Sequence, residues 1–167
     1  MRHITQLFLL PIVFALAAAS ACGDDPVAPS PPGGPTASEL KRVPEFVEVL
    51  GCTLQMDTFL WRDFMPVSPP DGKPLISLVW ITDINQGDLP DGIELNYIWV
   101  VNGSLVWGSR FSDEERPPDP PEKIEGIARN GPKWGPGIRV DVVVEFQDGE
   151  GVRRYLRAAE QLIHRTD

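Results

Sequence analysis

The stretch Ile138-Arg-Val-Asp-Val-Val-Val-Glu-Phe146 decides the fold. Ile138, Val140, Val142, Val144 and Phe146 share one parity, while Arg139, Asp141 and Glu145 share the other, and Val143 is the exception. Apolar residues at every second position mark a strand with one buried face, whereas a helix would repeat them about every 3.6 residues. Gln147-Asp-Gly-Glu-Gly151 then reads as a glycine-rich hairpin loop into a last strand, Val152 to about His164. Within that strand Ala158-Ala-Glu-Gln-Leu-Ile163 has fair helix propensity, so its end admits either a bulge or a final helical turn.

The same pattern recurs upstream. Leu75-Ile-Ser-Leu-Val-Trp-Ile-Thr82 is β-branched and aromatic, bounded by Gly72-Lys-Pro and Asn85-Gln-Gly. Ile93 to Val101 and Leu105 to Phe111 flank Asn102-Gly103, a strong short hairpin signal. Leu50, Cys52, Leu54 and Met56 alternate with polar or small residues, and Lys123 to Arg129 is a shorter strand. Eighteen prolines and 15 glycines in 167 residues argue against a helical bundle, because both weaken helix interiors. About seven short strands across residues 39–167 therefore predict an all-β domain, an antiparallel β-sandwich. By strand count and by Trp99 on a central strand it resembles immunoglobulin-like and fibronectin-like domains, with no disulfide expected; a small antiparallel barrel is the alternative.

The Asn102-Gly103 hairpin is apolar on both faces. A two-residue turn pairs Val101 with Ser104 and Trp99 with Val106. One face then carries Leu95, Tyr97, Trp99, Val101 and Val106, and the other Ile98, Val100, Leu105 and Trp107. A sandwich strand with one wet face does not need this. Either a loop covers the second face or it is an aromatic patch for a partner protein or glycan. Trp134, in the loop Arg129-Asn-Gly-Pro-Lys-Trp-Gly-Pro-Gly137, is a further candidate, so the binding patch to test is Tyr97, Trp99, Trp107 and Trp134. Trp61, beside Arg62-Asp-Phe-Met-Pro66, reads as core.

The amino end carries an address. Met1-Arg-His3 is basic, Ile4 to Ala19 is an apolar run, and Ala19-Ser-Ala21 offers small residues before Cys22, the pattern of a secretory signal peptide over 1–21. Ala19-Ser-Ala-Cys22 resembles the lipobox of bacterial lipoproteins, with Ala19 where leucine is usual. The resemblance covers only the first two dozen residues, and an ordinary signal peptide with Cys22 paired to Cys52 is the alternative. It implies a diacylglycerol on the Cys22 sulfur and hence a membrane partner through that anchor. Gly23, where an aspartate would imply inner-membrane retention, implies sorting to the outer membrane of a two-membrane cell envelope. Each buried methylene of an acyl chain contributes about 0.8 kcal/mol, so two or three chains hold firmly. Residues 23–38 contain five prolines and three glycines and predict a disordered tether, reaching on the order of 50 Å at about 3.1 Å per residue.

Charge and composition exclude several classes. With 15 basic against 24 acidic residues the net charge is −9, which does not suit nucleic acid. The two histidines and two cysteines, His3, Cys22, Cys52 and His164, lack the close pairwise spacing of a zinc finger. No glycine-rich phosphate loop follows a strand, and no cofactor is expected. Asp83, Asn85, Asp91 and Glu94 match the oxygen positions of a calcium loop, but Asp88 stands where its sharp turn needs glycine, so an ordinary inter-strand loop is expected. Asp113 to Glu122, rich in proline, reads as a solvated connection, with Pro-Pro-Asp-Pro-Pro121 a conceivable polyproline ligand.

Enzyme signatures are few. Cys52 reads as a buried thiol, His164 lies near the end, and Ser38-Glu-Leu-Lys41 matches Ser-x-x-Lys without its companion motifs. The expected function is that of a non-enzymatic binding or structural module. The alternative is a periplasmic hydrolase or carbohydrate-active enzyme using a pair drawn from Asp63, Asp83, Asp88 and Glu94.

Overall fold

The computed structural model describes residues 33–114 and 119–167. The signal-peptide residues 1–21, Cys22, tether residues 23–32 and part of the proline-rich connection lie outside the described residues. Among those described, one helical turn, α1 (Ala37–Leu40), precedes eight strands. These are β1 (Val47–Val49), β2 (Cys52–Asp63), β3 (Leu75–Asp83), β4 (Glu94–Asn102), β5 (Leu105–Arg110), β6 (Lys123–Gly131), β7 (Arg139–Gln147) and β8 (Arg153–Thr166). They form one curled sheet in the order β5-β4-β7-β8-β2-β3-β6, with β1 beside the start of β2. No helix among the described residues is long and apolar enough to cross a membrane.

The sheet is mixed, which corrects the wholly antiparallel expectation. β8 runs antiparallel to β7 from Arg153 to Leu162, and then Ile163–Thr166 pairs parallel with Leu60–Asp63 of β2. Its 14 residues are long enough to leave one wing of the sheet and join the other. The corner is made at Glu160, which adopts a left-handed φ of 55° opposite a register shift between Val140 and Val142. The bulge frees the Glu160 N–H, and Asp141 accepts it at 3.1 Å. The helix propensity of Ala158–Ile163 is overridden, because pairing on both sides of this segment outweighs a weak local preference.

The curl brings the two edges of the half-barrel together at one point, where Ser112 N–H donates to Ile127 O at 2.7 Å. Gly126 permits the approach, since a Cβ there would sit 2.6 Å from the Phe111 ring. One core fills the concave side: Leu54, Met56 and Leu60 of β2, Val79 and Ile81 of β3, and Ile98 and Val100 of β4 meet Val140, Val142, Val144 and Phe146 of β7. The parity read from β7 is therefore the buried one. Ser77 stands on the same inner face beside Ala128, fully buried, and its hydroxyl has no hydrogen-bond partner among the described residues. Replacing Ser77 by alanine is expected to raise stability by about 1 kcal/mol in urea denaturation, because an unpaired buried hydroxyl is removed. A destabilised Ser77→Ala protein would mean that the hydroxyl is satisfied.

The β4–β5 turn corrects the predicted register. Asn102 pairs with Leu105 and Val101 with Val106, so the turn residues are Gly103 and Ser104. Gly103 takes φ 62° and Ser104 does not turn left-handed, the signature of a type II′ turn with glycine leading. The slip is two places and so leaves every face unchanged. Leu95 is different: a register shift between Leu95 and Tyr97 moves it from the predicted outer face to the core side.

The outer face of the β5–β4–β7 wing is covered. Leu40 is 2% exposed and packs with Trp99, Val101 and Val143, and Ala37, Val43 and Val106 close around them. This explains Val143, and it buries Asp141, which alternation had placed in solvent. The strap Thr36–Glu45 is capped at Thr36, whose side chain receives the Glu39 N–H while Glu39 accepts the Thr36 N–H. It is pinned by Arg157, which donates from Nε to Val43 O and from its backbone to Pro44 O, and pairs with Glu45 at 2.7 Å.

The β7–β8 hairpin is held by Asp148. Burial works against its ionisation, but Val152 N–H, the Arg154 guanidinium and Glu150 N–H together hold its carboxyl below the usual carboxylate range. Asp63 is lowered too, by its bond from Lys73 and by the Met65 N–H. A carboxyl depressed in the folded state stabilises fully above its unfolded value of about 3.9 and loses that contribution as pH falls through the folded value. Thermal melts should therefore be flat from about pH 7 to 5 and fall below about pH 4. In Asp148→Asn the acid-sensitive part of the fall should shrink.

Candidate functional site

The aromatic residues singled out in the sequence are distributed over three places. Trp107 lies in the inner core, opposite Val100 and 8% exposed. Trp99, also 8% exposed, and half-buried Tyr97 lie on the opposite side of the sheet beneath the strap, ring centroids 4.7 Å apart. Trp134 is half-buried against the end of the core. The four do not converge on one surface, because β4 and β5 send Trp99 and Trp107 to opposite faces.

The acids singled out in the sequence lie in different settings. Asp83 is buried and accepts the Thr53 N–H at 3.0 Å. Asn85, Asp91 and Glu94 are exposed, and no cluster of three or more histidine, cysteine or acidic side chains fit for a metal occurs among the described residues. Asp63 and Asp83 sit at opposite ends of the β2–β3 ladder, roughly 30 Å apart at about 3.4 Å per residue, too far to flank one bond. Cys52 is a half-buried free thiol 3.8 Å from Asp88 O. Ser38 and Lys41 belong to the strap: Ser38 Oγ is 3.1 Å from Thr36 Oγ1, and Lys41 Nζ is 3.9 Å from Asp141.

The structure reveals a surface that the sequence reading passed over. On the outer side of the β2–β3–β6 wing, strand pairing sets Trp61 beside His164 and Ile76, Phe59 beside Leu78, and Leu78 beside Ile127. Phe59 is 36% exposed, its ring 5.3 Å from Trp61 and stacked on His164 at 4.9 Å. One step along, Asp57 pairs with Trp80 and Trp80 with Glu125. Trp80 Nε1–H donates to Glu125 at 2.6 Å, and Lys123 Nζ stands 5.9 Å from the ring centroid. Trp61, expected in the core, is on this outer face because its parity on β2 is opposite to that of buried Leu60. The signal for this surface was present: Ile76, Leu78 and Trp80 are apolar at the parity opposite to Leu75, Val79 and Ile81, the same two-faced pattern noticed in the hairpin.

Beyond Trp80 the face becomes more polar and opens into a cleft of about 470 Å³, lined by Gln55, Asp57, Thr82, Asp83, Gln86, Glu122 and Lys123 together with the apolar Ile84 and Pro120. An ordered progression results, from aromatic and aliphatic rows to a pocket in which amides, carboxylates and one ammonium outnumber the apolar Ile84 and Pro120. Comparison of the sequence with family models and with curated proteins, and of the fold with solved structures, finds no match.

Proposed function

We propose that this chain is a non-enzymatic binding module of a bacterial cell envelope, held by a lipid on Cys22, which engages its partner through the outer face of β2, β3 and β6. One observation carries the reading. Of the two apolar outer faces, that of the β5–β4–β7 wing is sealed by a strap continuous with the proline-rich tether, while the Phe59–Trp61–Leu78 face has no such cover among the described residues. The anchored side and the recognising side are thus different sides of the half-barrel. The lipobox-like Ala19-Ser-Ala-Cys22 and the Gly23 that follows support placement on an outer membrane. The immunoglobulin-like or fibronectin-like sandwich belongs to the same reading, supported by two wings whose inner faces share one core.

Two measurements test it. Mass spectrometry of the mature amino terminus is expected to find an acylated Cys22, and an unmodified thiol would remove the anchor. The full chain in detergent micelles is expected to co-sediment with the detergent-insoluble envelope fraction. Phe59→Ser, on an exposed side chain, should weaken that retention at least about tenfold, or about 1.4 kcal/mol, without moving the denaturation midpoint much. Absence of retention, or retention indifferent to Phe59→Ser, would sink the assignment of the face.

A further inference from the structure

The cleft beside Trp80 specifies the chemistry of the partner, an inference that rests on the binding face proposed above. We infer that the ligand is a neutral glycan, its hydroxyls entering the cleft and an apolar sugar face lying along Trp80 toward Phe59.

The lining selects for hydroxyls. Asp57 and Glu122 only accept hydrogen bonds, Lys123 only donates, and Gln55, Gln86 and Thr82 do both, while Ile84 and Pro120 offer apolar surface for the C–H groups of a sugar ring. A sugar hydroxyl is itself donor and acceptor, so adjacent hydroxyls can satisfy such a mixed set in pairs. A phosphate or sulfate offers acceptors alone, and it would meet Asp57, Asp83 and Glu122 against the single cation Lys123. An anionic polymer is thus repelled on the chain's own charge. A wholly apolar ligand fails for the opposite reason, since it would strip water from these groups without replacing the bonds.

The aromatic neighbour is prearranged. Trp80 lies across the ladder from Asp57 and two residues before Thr82, so it borders the cleft on the same face of the sheet. Its indole is tied through Nε1 to Glu125, which fixes the ring before any ligand arrives and lowers the ordering cost of binding. Lys123 Nζ stands 5.9 Å from that ring's centroid and 3.9 Å from Glu125, and Lys123 also lines the cleft, so one ammonium borders both parts. A pocket with a few convergent polar groups beside an aromatic surface is the general form of a site for a small polar ligand.

The test uses the full chain in micelles and the same envelope fraction, treated in parallel with mild periodate, which cleaves vicinal diols, or with a protease. Periodate is expected to reduce retention at least about tenfold, while protease treatment and about 0.5 M salt leave it intact. Neutral tetrasaccharides of 1,4-linked glucose or mannose, whose 2,3-diols periodate cleaves, are the soluble competitors. At least one should release the chain, and tetragalacturonate should not. Asp57→Ala, exposed and remote from the core, is expected to lose saccharide binding at least about tenfold. Trp80→Ala should do the same, and Asp57→Ala keeps the test decisive if Trp80→Ala unfolds. Retention that survives periodate and disappears with protease would overturn the glycan and leave the face standing. Release by tetragalacturonate alone, or saccharide binding indifferent to Asp57→Ala, would also overturn it. No retention on untreated envelope would remove the face itself.

Discussion

Replacing Arg62 by methionine is expected to destabilise the fold by about 3–5 kcal/mol, the range for stripping the partner from buried polar groups. Arg62 is 3% exposed at the inner parity of β2, where alternation alone would put an aliphatic side chain. Its guanidinium donates from Nε to Lys73 O at 2.9 Å, from Nη1 to Lys133 O at 2.9 Å and Gly135 O at 2.8 Å, and from Nη2 to Asp71 O. Two loops far apart in sequence, around 71–73 and 133–135, are thereby tied to one strand end. Burial draws its pKa down, with Asp71 opposing, yet the carbonyl cage and the Phe64 ring 5.1 Å away leave the cation well supported. Methionine keeps the stem and orphans four carbonyls. Arg62→Lys should recover less than half of the loss, since an ammonium cannot fork in a plane toward separated acceptors. Urea denaturation followed by tryptophan emission measures both, and a cost below about 1 kcal/mol for Arg62→Met would show that the loops close without it.

The second large effect is expected at Trp107. Truncation to alanine should cost about 3–5 kcal/mol, the range for a buried large aromatic, because the indole fills the core next to Val100 and Ile98. Phe59→Ala, an aromatic removed from the outer face, should cost far less and shift binding instead. This pair separates a packing tryptophan from the ring proposed to meet a partner. If Trp107→Ala melts like the parent while its emission reports an exposed indole lost, the core assignment of β5 fails.

These residues show how much was legible. Strand parity in Ile138–Phe146 predicted the inner-face set Val140, Val142, Val144 and Phe146 but missed the burial of Asp141 and Val143 on the other face, because a period of two follows from pleat geometry alone while coverage of the second face depends on neighbours. The hairpin faces survived an incorrect turn position, since the slip was even. Leu95 did not survive, because one unpaired residue inverts parity and nothing in Glu94-Leu-Asn-Tyr97 announces it. The strap was read as part tether, part domain start; its capping box at Thr36–Glu39 was a signal left unused. The parallel seam between β2 and β8 had no local mark, because residues about a hundred positions apart meet only after the sheet curls.

From its order of residues alone, the domain over 39–167 is all-β, with strands and inner parities set by local geometry and by where apolar side chains alternate. Folding decided which apolar face is closed. Both outer faces read alike in one dimension, and the difference between them is the strap, whose Leu40, with Ala37 and Val43 beside it, is brought by the chain's path onto Trp99 and Val143. Coverage is a long-range property: it depends on where a distant segment can lie, and hydrophobicity at a position does not encode that.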